Sequence, residues 1–280
     1  MTSSASEAHE LELRPFFHAG VAGRVFSLLV APPRGVPRRG GVLFVPPFAE
    51  EMNKSRRQVM LQARALATLG YGVLLVDLYG TGDSEGEFAA GRLDAWRNDL
   101  VAGCRWLGRE GFEPVVAWGL RWGALLATDV LRTLGLRRLL LWQPVADGRQ
   151  YMDQFFRLRT AASMMRGGAR ETAQDLRRQL EAGATIEVAG YELHPELVRA
   201  NDNLRLDAPP GGCVVDWLEV VRDADTQVSV GSQRMIASWR QTGVDVRPAA
   251  VVGQQFWATV ETTVAPALIE HTSQSLSGHA

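Results

Sequence analysis

Residues 115–127 read VVAWGLRWGALLA: an apolar run, then Gly119-Leu120-Arg121-Trp122-Gly123, then apolar residues at helical spacing. Two glycines four positions apart around a central residue have the spacing of a nucleophile elbow. That is the sharp strand-to-helix turn that lifts one side chain above a sheet. The side chain at the tip is Arg121. A guanidinium stays protonated at physiological pH and cannot attack a carbonyl. It can hold an anionic group, or stabilise negative charge that develops during a reaction.

The residues that would complete a triad are also displaced. An acid is expected after a later strand, and VVRDADTQV (220–228) offers Asp225, or Asp223, there. A histidine base is expected after the last core strand, near VVGQQFWATVE (251–261), which holds Gln254 and Gln255 instead. The five histidines are His9, His18, His194, His271 and His279, none of them in that stretch. With nucleophile and base both missing, an acyl-enzyme route has no starting point. A serine such as Ser55 or Ser163 entering from a loop would have no histidine to activate it.

Two adjacent carboxylates, Glu50 and Glu51, lie in VPPFAEEMNKSRR (45–57), which reads as the loop after an early buried strand. This loop, the elbow and the Asp223–Asp225 turn all leave strand carboxyl ends, so they should converge. Arg121 then has three readings. It is an internal ion pair that replaces a triad. It is a clamp for a carboxylate, phosphate or acidic sugar. Or it stabilises charge while Glu50 or Glu51 acts as general base on water. The candidate catalytic residues are Arg121, Glu50, Glu51 and Asp225. The candidate binding residues are Phe48, Trp122, Gln255 and Trp257.

The elements that must position these residues alternate. Strands are expected over 24–33, 41–48, 71–77, 113–119, 136–145, 213–221 and 244–253. Helices are expected over 55–72, 92–111, 122–135, 229–243 and roughly 259–272. Short apolar runs bounded by turn residues are strands buried on both faces. Alternation with helices implies parallel strands joined by right-handed crossovers. DLYGTGDSEG (77–86) adds the D-x-x-G-x-G-x-S turn common after an early core strand of α/β-hydrolases, with Asp83 and Ser84 as turn residues. Together with the elbow it predicts an α/β-hydrolase fold: a mostly parallel central sheet flanked by helices, with a helical cap insertion. The core is expected over 13–146 and 211–275, the cap over 147–210, and a polar tail over 1–12. Phe155–Phe156 and Met164–Met165 would give the cap an apolar underside.

VPPFAEEMNKSRR, DLYGTGDSEGEF, WGLRWGALLA, EVAGYELHPEL (187–197) and QQFWATVETTVAPALIEHT (254–272) together resemble the exosortase A system-associated hydrolase 2 family. The resemblance covers roughly residues 14–272, and EEMNKSR and the FW-x-T-x-E segment are its most specific parts. It implies an α/β-hydrolase superfamily member in bacteria that make exopolysaccharide and sort PEP-CTERM proteins. It also implies an ester or modified-sugar hydrolase, or a non-catalytic relative that binds an anionic glycan, a lipid-linked intermediate or a protein partner of that system. It supplies no substrate.

Bulk properties narrow the remaining classes. With 280 residues and 46% hydrophobic content the chain can bury one large core. A net charge of −1 gives no support to nucleic-acid binding. Of 30 basic side chains only Lys54 is a lysine. Cys104 and Cys213 stand apart from each other and from any Cys/His cluster, so they read as buried reduced thiols, and no metal or other cofactor is expected. The N-terminal residues lack the pattern of a signal peptide, and no apolar run is long enough to span a bilayer, so a cytoplasmic protein acting on a small-molecule or glycan-type ligand is expected.

Overall fold

The computed structural model describes residues 11–165 and 171–278. The chain runs β1 (Glu12–Ala19), β2 (Arg24–Ala31), β3 (Gly40–Val45), α1 (Glu50–Thr68), β4 (Tyr71–Val76), α2 (Leu93–Arg109), β5 (Pro114–Leu120), α3 (Trp122–Leu134) and β6 (Arg138–Trp142). It continues with α4 (Gly148–Met165), α5 (Ala173–Glu181), β7 (Ile186–Val188), β8 (Tyr191–Leu193), α6 (Pro195–Asp202), β9 (Val214–Val221), α7 (Val230–Gln241), β10 (Asp245–Val252) and α8 (Pro266–Ser277).

Eight strands make one sheet in the order β1-β2-β4-β3-β5-β6-β9-β10. The β1–β2 and β2–β4 pairs are antiparallel; every pair from β4 through β10 is parallel. The central strands are apolar on both faces because helices cover both. Leu43 and Val45 of β3 point into the core under α2 and α3, while Val42 and Phe44 point into the core under α1 and α8. That period-2 split over one six-residue run is why β3 reads as a continuous apolar stretch.

Between β6 and β9 the chain leaves the sheet. Helices α4, α5 and α6 and the β7–β8 hairpin form a cap, and none of them joins the eight strands. An aromatic cluster lies beneath it: Phe48 packs against Trp96, Trp122, Tyr151 and Phe155 at ring-centroid distances of 5.4–6.1 Å. The Trp122 indole donates to Asn201 Oδ1 of α6 at 2.7 Å, fully buried. Among the described residues, no helix is long and apolar enough to cross a membrane.

Four sequence expectations need correction. The polar tail ends earlier, because Glu12 already begins β1; residues 1–10 lie outside those described. β1 escapes the sequence because Pro15 and an exposed, alternating face suit an edge strand. Helix α1 begins at Glu50 rather than Ser55, so Glu50 and Glu51 are its first two residues and not loop residues. The cap is not wholly helical, since β7 and β8 are three-residue strands too short to show a periodicity. The last helix runs from Pro266, where proline is favoured in the first helical turn, and not from residue 259.

Candidate functional site

The elbow is present as backbone. Arg121 has φ 55° and ψ −120°, a conformation that costs a non-glycine residue about 1–3 kcal/mol. The turn is held by Arg121 N–H donating to Trp142 O at 2.9 Å and by Ala124 N–H donating to Arg121 O at 3.0 Å. Both flanking glycines are needed for space. A Cβ on Gly119 would lie 2.5 Å from Ala124 Cα, and one on Gly123 would strike the carbonyl oxygens of Val45 and Pro46. Ala49 adopts nearly the same conformation, φ 52° and ψ −127°, immediately before α1. Two sharp turns, after β3 and after β5, therefore face the same edge of the sheet and launch α1 and α3.

Arg121 is not open to solvent. Its Nε and Nη2 both donate to Glu51 Oε1 at 3.3 Å. The guanidinium carbon stands 5.5 Å from the Trp257 ring centroid and 6.0 Å from that of Tyr151. Both contacts are within cation–π range. The side chains of Arg121 and Glu51 are 19% and 21% exposed. Burial pushes the Glu51 carboxyl above its ordinary value, and the nearby Arg121 charge pulls it partly back. Tyr151 lies beside the carboxylate and favours its charged form. Its own phenol is driven well above the usual tyrosine range, by burial first and by Glu51 second. Among the described residues, none donates a well-aligned hydrogen bond to Glu51 Oε2, which is buried.

Glu50, one residue away, turns elsewhere. The Tyr191 hydroxyl of β8 donates to Glu50 Oε2 at 3.1 Å, and Asn53 Nδ2 reaches the same oxygen at 3.5 Å. Burial and the Glu50 charge raise the Tyr191 phenol to about 12. Successive helical residues point about 100° apart, so one carboxylate grips the elbow arginine and the other grips the cap.

A cavity of about 200 Å³ opens beside the ion pair. Glu50, Glu51, Lys54 and Arg121 line it on one side, and Tyr151, Gln154, Phe155, Leu158, Trp257 and Ala258 on the other. Among the described residues that line it there is no serine, threonine, cysteine or histidine.

The sequence candidates divide accordingly. Arg121, Glu50, Glu51 and Trp257 meet at this cavity. Phe48 and Trp122 are 2% and 1% exposed in the aromatic cluster beneath and do not line it. Gln255 is exposed in the turn closed by Ala258 N–H donating to its carbonyl, and it does not line the cavity. Asp225 is exposed beyond β9 and does not line it either. Its neighbour Asp223 caps a turn through Thr226 Oγ1. The Asp223–Asp225 turn thus contributes no side chain to this cavity. Ser84 accepts from Phe26 N–H and donates to Asp77 O, a turn role. Ser55 donates to Glu51 O inside α1. His194 caps α6 by accepting from Glu196 N–H. Cys104 and Cys213 are free and buried.

Sequence reasoning missed Tyr151, Gln154, Leu158 and Lys54 as wall residues. The signal was available in QYMDQFFRL, where Tyr151, Gln154, Phe155 and Leu158 recur at helical spacing and form one face of α4. Among the described residues, no group of three or more His, Cys, Asp or Glu is gathered as metal ligands.

No protein-family model matches the chain, and no curated protein resembles it in sequence. Solved structures resemble it in fold. The esterase Est1E from Butyrivibrio proteoclasticus, with ferulic acid bound, superposes with a TM-score of 0.65 at 14% identity, covering 94% of this chain and 96% of that one. A thermostable carboxyl esterase from Bacillus coagulans gives 0.61 at 12% identity, with 95% and 98% covered. Mouse alpha/beta hydrolase domain-containing protein 10 gives 0.56 at 13% identity, with 95% and 97% covered. At these identities the likeness is one of architecture: the chain has the α/β-hydrolase fold.

Proposed function

We propose that this protein is a hydrolase-fold binding protein. Its Arg121–Glu51 cavity holds a small anionic, hydroxyl-bearing ligand of the acidic or modified sugar class, and it does so without an acyl-enzyme intermediate. The observation that carries the reading is the wall of the cavity. A hydrolase elbow is kept, strain included, yet its tip is an arginine, and the described lining offers neither a hydroxyl or thiol of serine, threonine or cysteine nor a histidine base. Lys54 and Gln154 on the cavity wall can donate to ligand oxygens, and Trp257 and Phe155 border it with aromatic carbon. The resemblance to the exosortase A system-associated hydrolase 2 family supports a place in exopolysaccharide and PEP-CTERM systems, with a glycan, a lipid-linked intermediate or a protein partner.

A second reading has its own support. Glu51 is a desolvated carboxylate with a raised pKa, set beside a cation at the wall of a cavity, the environment of a general base. Hydrolysis of acetylated sugars and short-chain p-nitrophenyl esters separates the two. Wild type, Arg121→Ala and Glu51→Gln would be compared, with labelling by a fluorophosphonate as a parallel readout. The binding reading expects no turnover above the variants and no labelling. Turnover abolished by Glu51→Gln, without labelling, would establish the water-activating reading in its place. Stoichiometric labelling would overturn both.

A further inference from the structure

We infer that Lys54, and not Arg121, anchors the anionic group of the ligand in this cavity. The inference rests on the proposed binding function and assigns the ligand's charge to one residue.

Composition gives the first argument. All but one of the 30 basic side chains are arginine. Arginine fills the basic role in the carboxylate pairs within the fold, as in Arg138–Asp216, Arg177–Asp202 and Arg97–Asp129. The single lysine stands on the wall of the Arg121 cavity. Lysine differs from arginine in being a compact, strongly hydrated point charge without a planar fork.

The second argument is the state of the other charges on that wall. Arg121 gives its Nε and Nη2 to Glu51. Glu50 is held by Tyr191 and Asn53. Lys54 lies three and four residues after these carboxylates, the spacing at which a helical cation meets an acid. Among the described residues it closes neither an ion pair nor a hydrogen bond, and its charge reaches Glu51 only as the weakest of the influences on that carboxyl. It is half-buried in the second turn of α1. An arginine here could reach back to Glu50 or Glu51 with its fork and cancel itself. The shorter ammonium stands on the cavity wall without such a fork.

Size completes the ligand class. A cavity of roughly 150 Å³ takes a benzene ring, so about 200 Å³ takes one six-membered ring with one substituent. A ring bearing a single carboxylate and several hydroxyls matches Lys54, Gln154 and the aromatic walls together. That is a monosaccharide uronate, free or as the end of a glycan.

The chain has two kinds of primary amine, the α-amine and Lys54, so reductive ¹³C-methylation gives a dimethylamine resonance that reports Lys54 alone. Glucuronate is the probe and glucose its neutral control, with calorimetry on the unmodified protein alongside. Glucuronate is expected to shift the Lys54 resonance saturably while glucose leaves it in place. Lys54→Gln is expected to weaken glucuronate roughly tenfold or more, as loss of a charge-assisted contact does. Lys54→Arg is expected to fall short of wild type, and circular dichroism checks that both variants fold. If glucuronate binds wild type but Lys54→Gln binds within twofold and the resonance does not move, the assignment to Lys54 is wrong while the binding function stands. If wild type binds no glucuronate, both fall.

Discussion

The two arginine–carboxylate pairs Arg138–Asp216 and Arg121–Glu51 sit at opposite ends of the parallel strands and are built differently. Arg138 opens β6 and donates to Asp216 Oδ2 from Nε at 3.0 Å and from Nη2 at 2.8 Å, with Ser275 O accepting a further bond at 2.8 Å. Its side chain is 13% exposed and that of Asp216 only 2%. Arg121, past the carboxyl end of β5, makes two contacts of 3.3 Å to one oxygen and leaves the other oxygen without a well-aligned donor beside a cavity. Charge-assisted N–H···O bonds normally close to about 2.7–2.9 Å. The Arg138 pair is closed as a structural pair is; the Arg121 pair is longer and borders a cavity at the edge where ligands of open α/β sheets bind.

The Arg138 pair should matter most to stability. Asp216→Ala leaves the Arg138 guanidinium buried and uncompensated, and should cost about 3–5 kcal/mol in urea unfolding. A loss under about 1 kcal/mol would erase the distinction between the pairs.

Asp99 sharpens the comparison as a buried carboxylate with no arginine. Its Oδ2 accepts from Tyr79 N–H at 2.9 Å, its Oδ1 has no hydrogen-bond partner among the described residues, and burial raises its pKa to about 6. A folded-state pKa above the unfolded one means that protonation favours the native state. The contribution is fully present below the ordinary value of 3.8 and is lost as pH climbs through about 6. The loss should reach roughly 2–3 kcal/mol. It should vanish from the wild-type minus Asp99→Asn difference if another group is responsible.

Arg121→Met comes next. It strips Glu51 of its counter-charge and should lower stability by about 1–2 kcal/mol at neutral pH, since this pair is looser and wetter than the other. The Glu51 carboxyl should titrate still higher in that variant, and the stability loss should shrink in acid as Glu51 becomes neutral. Carboxyl ¹³C shifts followed through pH would record both. An unmoved Glu51 would mean that the 3.3 Å contacts carry no electrostatic weight.

The smallest effect belongs to Glu51→Gln, expected within about 1 kcal/mol of wild type. Its sign is informative. Because burial raises the Glu51 pKa above 4.5, the ionised form costs the wild type stability as pH rises through that raised value. The variant escapes this, so it should gain on wild type toward alkaline pH. A variant that loses ground instead would class Glu51 with Asp216.

Much of this arrangement was legible in the residues. The strand–helix alternation, the glycines of the 77–86 turn and the Gly119–Gly123 frame fix the sheet and the elbow, because each rests on local sterics or periodicity. Which glutamate meets Arg121 was not legible. That depends on α1 starting at Glu50, after an Ala49 with positive φ and no side-chain cap to announce it. Asp225 misled because an acid after β9 matches the chain order of a triad, whereas its turn projects into solvent. Tyr151 and Gln154 depend on how the cap folds back over the sheet, a tertiary contact with no local signature. Phe48 and Trp122 were correctly placed near the elbow in the chain but lie in the packing beneath the cavity.

The ties between cap and core bear on timing. Asn201 holds the buried Trp122 indole, Tyr191 holds Glu50, and Arg92 reaches Glu196 at 2.9 Å. Lifting the cap as a unit would break all three and strand an indole N–H away from water. Three separate contacts thus oppose lifting the cap as one body. Passage past it depends on Gln154 and Leu158, exposed side chains on the cavity wall whose rotamers change in picoseconds to nanoseconds. On the proposed binding function, capture would wait on diffusion and not on a hinge, and differences between ligands should be written in how slowly they leave.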